Sequence, residues 1–317
     1  MGMKTHILGD GVAAMMLASR ADELSHHDIS IVHPQGAPIA RDHMLGFWNM
    51  DGLESAVECS RASWSKWAVI TDTGKSVMHS EKHAYHIMHK ANYLHSCREI
   101  AEQNGVAFIE ENHINDEEES QTFDSRPPRA SRNAMLQHFL GKEVEVDKPV
   151  FDASTAILMD FRVDQSQGMH FIYLLPYSPT QALVESTLFT TTVSQREYYL
   201  KAIEDYLMDH YGASITNVIH EEQGVIPMGT LSPHDSNCPR PRSKCWCDSP
   251  SQWIHLRVHS STNSASDTSY KTRKATSIQT TTQSGRCLDG FGSTDCVEEL
   301  AFARTEIVRT NGFSAFW

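Results

Sequence analysis

The opening of the chain contains the pattern that most limits what it can fold into. A short apolar strand is predicted at residues 5–8, followed by the glycine turn Gly9-Asp-Gly-Val-Ala-Ala14 and a helix-forming run at 15–21. A second apolar strand, at 29–32, follows at the separation typical of a β-α-β crossover. We therefore predict an α/β fold built on a Rossmann-like, dinucleotide-binding sheet.

The glycine turn has the spacing of a phosphate-binding loop. Gly9 and Gly11 let the backbone turn tightly and approach a pyrophosphate at the start of a helix, where unpaired N–H groups and the helix dipole favour negative charge. Against this interpretation, His33 and Pro34 replace the acidic residue that usually ends the second strand and binds a ribose. Gly9, Gly11 and Ala14 are thus candidate cofactor contacts, with a tight structural turn as the alternative.

Charge and composition argue against several classes of partner. The 317 residues carry a formal net charge of −13, which disfavours binding to nucleic acid or to anionic lipid headgroups. No window reaches the roughly 18 apolar residues needed for a membrane-spanning helix, and residues 1–4 lead into a strand pattern instead of a signal peptide. We expect a cytoplasmic protein that does not bind nucleic acid.

Further along the chain, the pattern changes from alternating helix and strand to successive strands. The hairpin 164–168 and the helix stop at Gly212 are the clearest turn signals. The predicted elements are a helix at 80–103, a strand at 106–109, an acidic turn at 115–119, strands at 156–163, 169–176 and 182–189, and a helix at 195–210. The three later strands predict an antiparallel sheet inserted into the nucleotide-binding fold.

Two acidic residues lie inside apolar strands. Glu185 is flanked by strand-forming Val184 and Thr187, and Asp160 follows Leu158-Met159. Burial raises the pKa of a carboxyl group because it disfavours the charged form, so such a residue can remain a proton donor near neutral pH. If the two strands pair, two carboxyl groups in one apolar site would also push their pKa values apart. An exposed strand face is the alternative for Glu185.

A third motif, Phe123-Asp-Ser-Arg-Pro-Pro128, has no clear role from spacing alone. A charged loop ahead of a proline stop explains it as well as a functional site does. Together with five other segments, however, it resembles the lycopene cyclase family of carotenoid-cyclising flavoproteins, bacterial type. The other segments are Gln137-His-Phe-Leu-Gly141, Ala156-Ile-Leu-Met-Asp-Phe-Arg-Val163, Phe171-Ile-Tyr-Leu-Leu-Pro-Tyr177, Leu183-Val-Glu-Ser-Thr187 and Gly224-Val-Ile-Pro-Met228.

This resemblance covers roughly residues 4 to 236, and it implies roles for single residues. Glu185 corresponds to the essential acid of the family, and Asp160 to a second acid or stabilising group. The aromatic residues of the stretch 43–48 partly match an early aromatic motif of the family. The implied cofactor contacts are Gly9, Gly11, Ala14, Asp124 and Arg126, and the implied substrate contacts are Phe161, Tyr173, Tyr177 and Thr187.

The resemblance also implies an activity. A lycopene cyclase converts linear lycopene into a cyclic carotene, β-carotene, by acid-catalysed ring closure without net redox change. The implied cofactor is FAD in its reduced form, with NADPH as the reductant, and the implied partners are a linear carotenoid and the inner face of the cell membrane. A flavin-dependent monooxygenase or oxidoreductase of the same fold, or an inactive cyclase remnant, is the alternative.

The predicted organisation is a first FAD-binding part at 1–149, an inserted substrate-covering sheet at 150–195, a return to the FAD-type domain at 196–236, and an aberrant tail at 237–317. Within the tail, 260–284 is mostly Ser, Thr, Gln and Lys, a composition that cannot build a core. The tail lacks the Gly-rich flavin contact and the Ser-Gly-Tyr segment that follow in the family. We interpret it as a frameshift from about Ser236 to about Val297, which predicts a poorly ordered region and the loss of the second flavin contact.

Five of the seven cysteines lie in this tail, and three of them follow His234 closely. The spacing of Cys238, Cys245 and Cys247 fits no standard zinc pattern, because a second Cys-x-x-Cys pair is missing. No metal site is therefore predicted.

Sequencing of the coding DNA tests the frameshift. An intact reading frame, with no other frame that encodes the missing family segment, would refute it.

Overall fold

The computed structural model describes residues 3–24, 27–36, 42–111, 120–127, 129–130, 133–228 and 231–232. Its helices are α1 (Val12–Ala18), α2 (Glu54–Glu58), α3 (Lys90–Gln103) and α4 (Arg196–Tyr211), with a 3-10 turn at Ala21–Glu23. The first eight strands are β1 (Met3–Leu8), β2 (His27–His33), β3 (Met44–Trp48), β4 (Ala62–Trp64), β5 (Lys66–Thr71), β6 (Gly74–His79), β7 (Tyr85–His89) and β8 (Ala107–Glu110). The others are β9 (Ser120–Asp124), β10 (Arg129–Ala130), β11 (Met135–Val146), β12 (Thr155–Asp160), β13 (Met169–Pro176), β14 (Gln181–Thr190), β15 (Ile215–Met228) and β16 (Leu231–Ser232).

The N-terminal part forms a four-stranded parallel sheet in the order β8-β2-β1-β9. Helices α1 and α3 pack on it through one apolar core, in which Ile7 and Ile31 of the sheet meet Met15 of α1 and Tyr93 of α3. The chain crosses from β1 to β2 on one side and returns to β9 on the other side of β1. In open α/β sheets, this change of direction leaves a crevice at the carboxyl ends of the strands.

The long helix predicted at 80–103 is wrong in its first ten residues. The helix begins at Lys90, and Tyr85–His89 forms β7. β7 is hydrogen-bonded on both sides, to β3 and β4, and four of its five residues are buried. Pairing with strands that are distant in the sequence therefore overrides the helical pattern that continues from α3.

The second part is a seven-stranded sheet in the order β15-β11-β14-β13-β12-β5-β6. It is antiparallel except where β12 runs parallel to β5. The predicted α/β fold with an added antiparallel sheet is thus confirmed, but the sheet is wider than the predicted segment 150–195, which supplies only β12, β13 and β14. Long-range pairing explains the difference, because β5, β6, β11 and β15 join from both ends of the sequence.

Helix α4 covers one face of this seven-stranded sheet. Tyr199, Ile203 and Tyr206 of the helix pack against a buried layer that includes Ile172 and Val184. The helix ends at Gly212, which adopts the left-handed conformation (φ 56°), so the predicted stop is confirmed. Helix α4 packs on the large sheet and β15 is one of its strands, while the assignment of 196–236 to the FAD-type domain stays a prediction.

The other face is covered by the small antiparallel sheet β3-β7-β4. Between the two sheets lies a layer rich in aromatic side chains, among them Trp64, Trp67 and Tyr85, together with Leu158 and Leu183. Because residues of a strand alternate between its two faces, even-numbered residues of β14 point to α4 and odd-numbered ones point to this aromatic layer. Glu185 is odd-numbered and belongs to the aromatic side.

Two of the sequence predictions fall outside the residues that the structure describes. They are the acidic turn at 115–119 and the aberrant tail from 237 onward, including its cysteines. Within the described part of the chain, no helix is both long enough and apolar enough to cross a membrane.

Candidate functional site

Glu185 lies in the interior of the large sheet, where strand pairing determines its neighbours. In the register of the sheet, Tyr173 of β13 is opposite it on one side and Gly141 of β11 on the other. Gly141 is in turn opposite Glu222 of β15. Directly opposed residues share a face, so Glu185 and Glu222 flank a position without a side chain.

Aromatic residues from both sheets form a layer on this face of the large sheet, and two of them, Tyr85 and Tyr173, feel the charge of Glu185. We call the aromatic residues of this layer the aromatic cluster, and they are Trp48, Trp64, Trp67, Tyr85, Tyr173 and Tyr177. The Trp48 ring lies 4.4 Å from the Trp67 ring and 5.0 Å from the Tyr85 ring, both edge to face. Ring faces of this kind attract positive charge and offer an apolar surface. The cluster can therefore line a site for an apolar molecule that becomes cationic.

The environment of Glu185 favours its protonated form. Burial raises the pKa of this carboxyl group to about 8, the negative charge of Glu222 adds to the rise, and a hydrogen bond from Thr187 opposes it. Thr187 is fully buried and donates to Oε1 of Glu185 at 2.7 Å. Although Glu185 itself is only half-buried, the dense protein around its carboxyl group governs the pKa. Glu185 can thus carry a proton at neutral pH.

The carboxyl group of Glu185 also affects the pKa values of the neighbouring tyrosines. Burial raises the pKa of Tyr85 and of Tyr173, and the charge of Glu185 adds to both. These hydroxyl groups stay protonated at any physiological pH, so they do not compete with Glu185 as bases. The acid therefore lies beside two tyrosine side chains that stay neutral.

Glu222 is a second buried acid, which was not predicted from the sequence. It is 5% exposed, and its Oε2 accepts a hydrogen bond from the backbone N–H of Met44 at 2.7 Å. Burial raises its pKa to about 7. A signal was present in the sequence, because two successive glutamates in a strand, Glu221 and Glu222, must point to opposite faces.

A third buried acid on this side, Glu143, shows the opposite behaviour. Burial acts to raise its pKa, but hydrogen bonds from Arg61 and Gln181 lower it below the ordinary value. Arg61 donates to Oε2 of Glu143 at 2.6 Å and also stacks over the Tyr177 ring, 4.2 Å from its centroid. Glu143 is therefore an ionised partner of arginine and not a proton donor.

The prediction that Asp160 shares a pocket with Glu185 is wrong. Asp160 pairs in register with Ile172 and points to the α4 face, where Tyr206 donates a hydrogen bond to its Oδ2 at 2.8 Å. Arg162 binds both of its carboxylate oxygens, at 2.6 and 2.9 Å. An irregularity in the pairing of β12 shifts the alternation of this strand, which the sequence pattern did not reveal.

The four predicted substrate contacts lie on the Glu185 side of the sheet. Tyr173 and Tyr177 belong to the aromatic cluster, Thr187 binds Glu185, and Phe161 packs against Phe171 in an adjoining apolar group. Of the four, Tyr173 and Thr187 adjoin Glu185 directly, and the substrate role of all four stays a prediction. The hydroxyl of Tyr177 is buried without a hydrogen-bond partner among the described residues.

A second candidate site lies at the carboxyl edge of the parallel sheet. Gly9 has a φ of +99°, and Gly11 precedes α1 with open space where a side chain would stand. The pairing of β1 with β9 places Asp124 beside this turn, and the backbone N–H of Ser125 binds the carbonyl of Leu8 at 2.9 Å. Two motifs more than a hundred residues apart therefore meet at the crevice between β1 and β9.

The acidic motif beside the turn is rigidly held. Asp124 is buried and accepts two hydrogen bonds from the Arg126 side chain, at 2.9 and 3.1 Å. Ala14, the third predicted residue of the turn motif, is buried in the core of the parallel sheet. It therefore contributes close packing of α1 instead of a surface contact.

His33, which stands at the end of β2 in place of an acid, has a local partner. Its Nδ1 lies 2.9 Å from a carboxylate oxygen of Asp10, inside the glycine turn. Both side chains are about half exposed. An acid is thus present at this edge of the sheet, supplied by the turn and not by the second strand.

Surface pockets do not identify the site at Glu185 or the site at the glycine turn. A groove of about 550 Å³ includes Lys75, Arg162 and His210, and contains neither Glu185 nor the glycine turn. Among the described residues, no group of histidine, cysteine, aspartate and glutamate side chains could hold a metal ion. The chemistry of the buried carboxyl groups, and not cavity size, therefore defines the candidate active site.

The architecture is shared with solved structures of low sequence identity. A flavin-dependent halogenase from Xanthomonas campestris superposes with a TM-score of 0.54 at 10% identity, over 97% of this chain and 75% of that one. A geranylgeranyl bacteriochlorophyll reductase-like protein from Thermoplasma acidophilum gives 0.53 at 11% identity, over 73% and 68%. The fold is thus one that flavin-dependent enzymes also use.

Sequence comparison identifies the family. The model of the lycopene cyclase protein family matches residues 5–240, and the chain belongs to this family. Lycopene β-cyclase from Pantoea ananas is 37% identical over 98 residues, 31% of this chain and 25% of that protein. Lycopene β-cyclase from a Paracoccus species is 32% identical over 116 residues, 36% and 29%. These alignments span less than a third of the curated relatives.

Proposed function

We propose that this chain carries the active site of a lycopene cyclase, in which Glu185 protonates the end of a linear carotenoid and starts ring closure to β-carotene. The observation that carries the proposal is a carboxyl group with a raised pKa on the face of the large sheet that carries the aromatic cluster. Membership of the family and the names of the two curated relatives support the choice of substrate.

The properties of the substrate agree with this site. A linear carotenoid has no polar group, so apolar lining and shape must bind it, and a proton must reach its terminal alkene without competition from water. Glu185 would donate that proton, and the neighbouring double bond would then attack the resulting tertiary carbocation. Thr187 holds the Oε1 atom of Glu185 and so orients the carboxyl group. Tyr173 and Tyr177 present ring faces that stabilise positive charge.

The glycine turn is the proposed contact for FAD. Gly9, Gly11, Asp124 and Arg126 lie together at the crevice, and Ala14 packs the helix against it. The residues fit the group, because a Cβ on Gly9 would stand only 3.0 Å from Ser125 Oγ, whereas the space at Gly11 is open. A reduced flavin, with NADPH as its reductant, would supply an electron-rich ring that stabilises the cationic intermediate.

The substrate also defines the proposed location. Because linear carotenoids dissolve in the bilayer and not in water, we propose that the protein contacts the inner face of the cell membrane peripherally. A flotation assay with carotenoid-containing vesicles tests this contact.

Pigment analysis in bacterial cells that accumulate lycopene is the direct test. In the version of the chain that cyclises lycopene, whether as given or with the proposed reading frame restored, we expect β-carotene, and we expect none from the same version carrying Glu185→Gln. The matched control is Glu221→Gln, which changes an exposed residue of β15 whose carboxylate pairs with Arg196 of α4. This variant should keep the wild-type yield. Cyclic product from Glu185→Gln would refute the role of Glu185.

The tail requires a further arm of this experiment. The family match ends at residue 240, close to the change in composition at 236, and the frameshift proposal holds that the second flavin contact is missing beyond it. A version with the proposed reading frame restored should therefore cyclise lycopene even if the present chain does not. If neither version cyclises lycopene, the chain is an inactive cyclase remnant.

The alternative oxidoreductase function predicts a different consumption of NADPH per molecule of product. A monooxygenase consumes one NADPH for each substrate molecule, whereas a redox-neutral cyclase consumes none in proportion to product. Measurement of NADPH oxidation against carotene formed separates the two. Stoichiometric consumption would refute the cyclase proposal.

A further inference from the structure

Glu222 has an unusual position for an acid. It lies on β15, an edge strand of the large sheet, and it is the one buried residue among the fourteen of this strand. The neighbouring Glu221 points to the other face, where it pairs with Arg196 at 2.5 Å. The fold therefore turns one of two adjacent glutamates inward, to the face that carries Glu185.

Gly141 leaves room for the two carboxyl side chains to converge. It lies between Glu185 and Glu222 in the register, one strand from each. A Cβ at Gly141 would stand 3.4 Å from Cβ of Glu185 and 3.4 Å from Oε1 of Glu222. The space above this residue is thus bounded by one acid on either side.

A structural role alone does not account for an acid at this position. Holding the Met44 N–H requires one hydrogen-bond acceptor, which an amide oxygen of glutamine supplies equally well. An ionised Glu222 is repelled by Asp42 and Glu143, and removing a charge from water is costly without a cationic partner. Glutamate is therefore the more costly choice unless its proton has a use.

Titratable groups face Glu222 from every element packed against it. His220, on its own strand, lies 3.8 Å from Oε2, and its Nε2 has no hydrogen-bond partner among the described residues. The other groups are Glu143 on β11, Glu185 on β14, Tyr177 just after β13, Asp42 ahead of β3, and His89 on β7, whose ring lies 6.4 Å from that of His220. Of these groups, Glu185 is the other carboxyl group whose pKa burial raises well above its ordinary value, and within the described part of the chain neither it nor Glu222 pairs with an arginine or lysine.

We propose that Glu185 and Glu222 hold one proton between them, so that one serves as acid while the other is the carboxylate. Two like charges facing one another disfavour double ionisation, and the repulsion belongs to the pair, whichever group ionises first. The proposal extends the cyclase function proposed above, and its catalytic consequence depends on that function.

The consequence is a closed proton balance. One O–H bond breaks as a C–H bond forms at the terminal alkene, and a C–C bond then closes the ring. A C–H bond of the cyclic cation breaks, its electron pair forms the ring double bond, and its proton goes to the carboxylate of the pair. Each closure therefore begins and ends with one proton on two carboxyl groups, and no oxidant or reductant is consumed.

Infrared titration of the full chain tests the shared proton, because a protonated carboxyl group has its own C=O stretching band. In Glu222→Gln, which keeps an acceptor for the Met44 N–H, the midpoint of the Glu185 band should move toward acid by about tenfold in proton concentration. Glu185→Gln should move the Glu222 band by the same factor, since coupling is reciprocal. Glu221→Gln is the control and should move neither.

The outcomes are distinct. Unchanged midpoints in both variants, each shown by circular dichroism to be folded, would overturn the proposal and leave Glu222 as an anchor for Met44. If Glu222→Gln does not fold, the reciprocal measurement on Glu185→Gln decides the question alone. Coupled midpoints without cyclisation of lycopene by any version of the chain would sustain the shared proton and refute the proposed function.

Discussion

Replacement of Glu185 by glutamine should make the protein more stable at alkaline pH. Folding raises the pKa of this carboxyl group from 4.5 to about 8, mainly through burial. The folded state therefore binds the proton more tightly than the unfolded state. The contribution of Glu185 to stability is intact below about pH 4.5 and is lost as the pH rises through about 8. Glutamine carries no such penalty and can still accept the hydrogen bond from Thr187.

The size of the effect follows from this difference in pKa. A tenfold change in a protonation equilibrium corresponds to about 1.4 kcal/mol, so the gap between 4.5 and about 8 sets a ceiling of about 5 kcal/mol above pH 8. At pH 7 the corresponding ceiling is about 3 kcal/mol. Both are ceilings because part of the rise comes from Glu222 and changes when that residue ionises.

Urea denaturation followed by tryptophan fluorescence measures this difference. The free energies of unfolding of wild type and Glu185→Gln should agree near about pH 4 and diverge in favour of the variant toward about pH 9. Glu221→Gln should show the opposite sign and at most about 1 kcal/mol, because a hydrogen bond from Arg196 lowers the pKa of that exposed glutamate. A constant difference between wild type and Glu185→Gln across this range would refute the reasoning.

Three further substitutions test other parts of the structure. Gly9→Ala places a Cβ at a residue with φ +99°, 3.0 Å from Ser125 Oγ. It should lower the free energy of unfolding by about 1–3 kcal/mol and remove most of the bound flavin, which visible absorbance measures. Full flavin content would contradict the assigned cofactor site. Asp160→Asn should lower the free energy of unfolding by about 2–4 kcal/mol in urea titrations, with the pH profile of cyclisation unchanged; a shifted profile would restore Asp160 as a catalytic acid. Gly141→Ala should displace Glu222, whose Cγ would lie 3.2 Å from the new Cβ. The rate of cyclisation, measured by chromatography of the pigments, should fall at least about tenfold. An unchanged rate would show that the space above Gly141 has no role.

Local patterns of the sequence predict local structure well in this protein. The β-α-β opening, the strands around the hairpin 164–168 and the helix stop at Gly212 all form as expected, because neighbouring residues determine them. The raised pKa of Glu185 follows from its place in an apolar strand, although the sequence alone left an exposed face of that strand as the alternative. In each case, residues close together in the sequence were sufficient for the prediction.

Pairing between distant strands is what the sequence did not reveal. Tyr85–His89 is a strand only because β3 and β4 flank it, and Asp160 faces α4 only because of an irregularity in β12. Glu222 was missed for a related reason, as β15 otherwise reads as an exposed strand. Its inward orientation depends on contact with Met44, nearly 180 positions away in the chain.

The candidate acids are carried by strands in regular ladders and not by loops, which restricts how such a protein can change during evolution. Loops can lengthen or shorten without moving Glu185, since ten successive pairs between β14 and β11 hold it in place. Insertion of one residue in the first half of β14 would instead rotate the carboxyl group to the α4 side, away from the aromatic cluster. We therefore expect length variation among relatives to be confined to the connections, with β11 and β14 tolerating substitutions but no insertions or deletions.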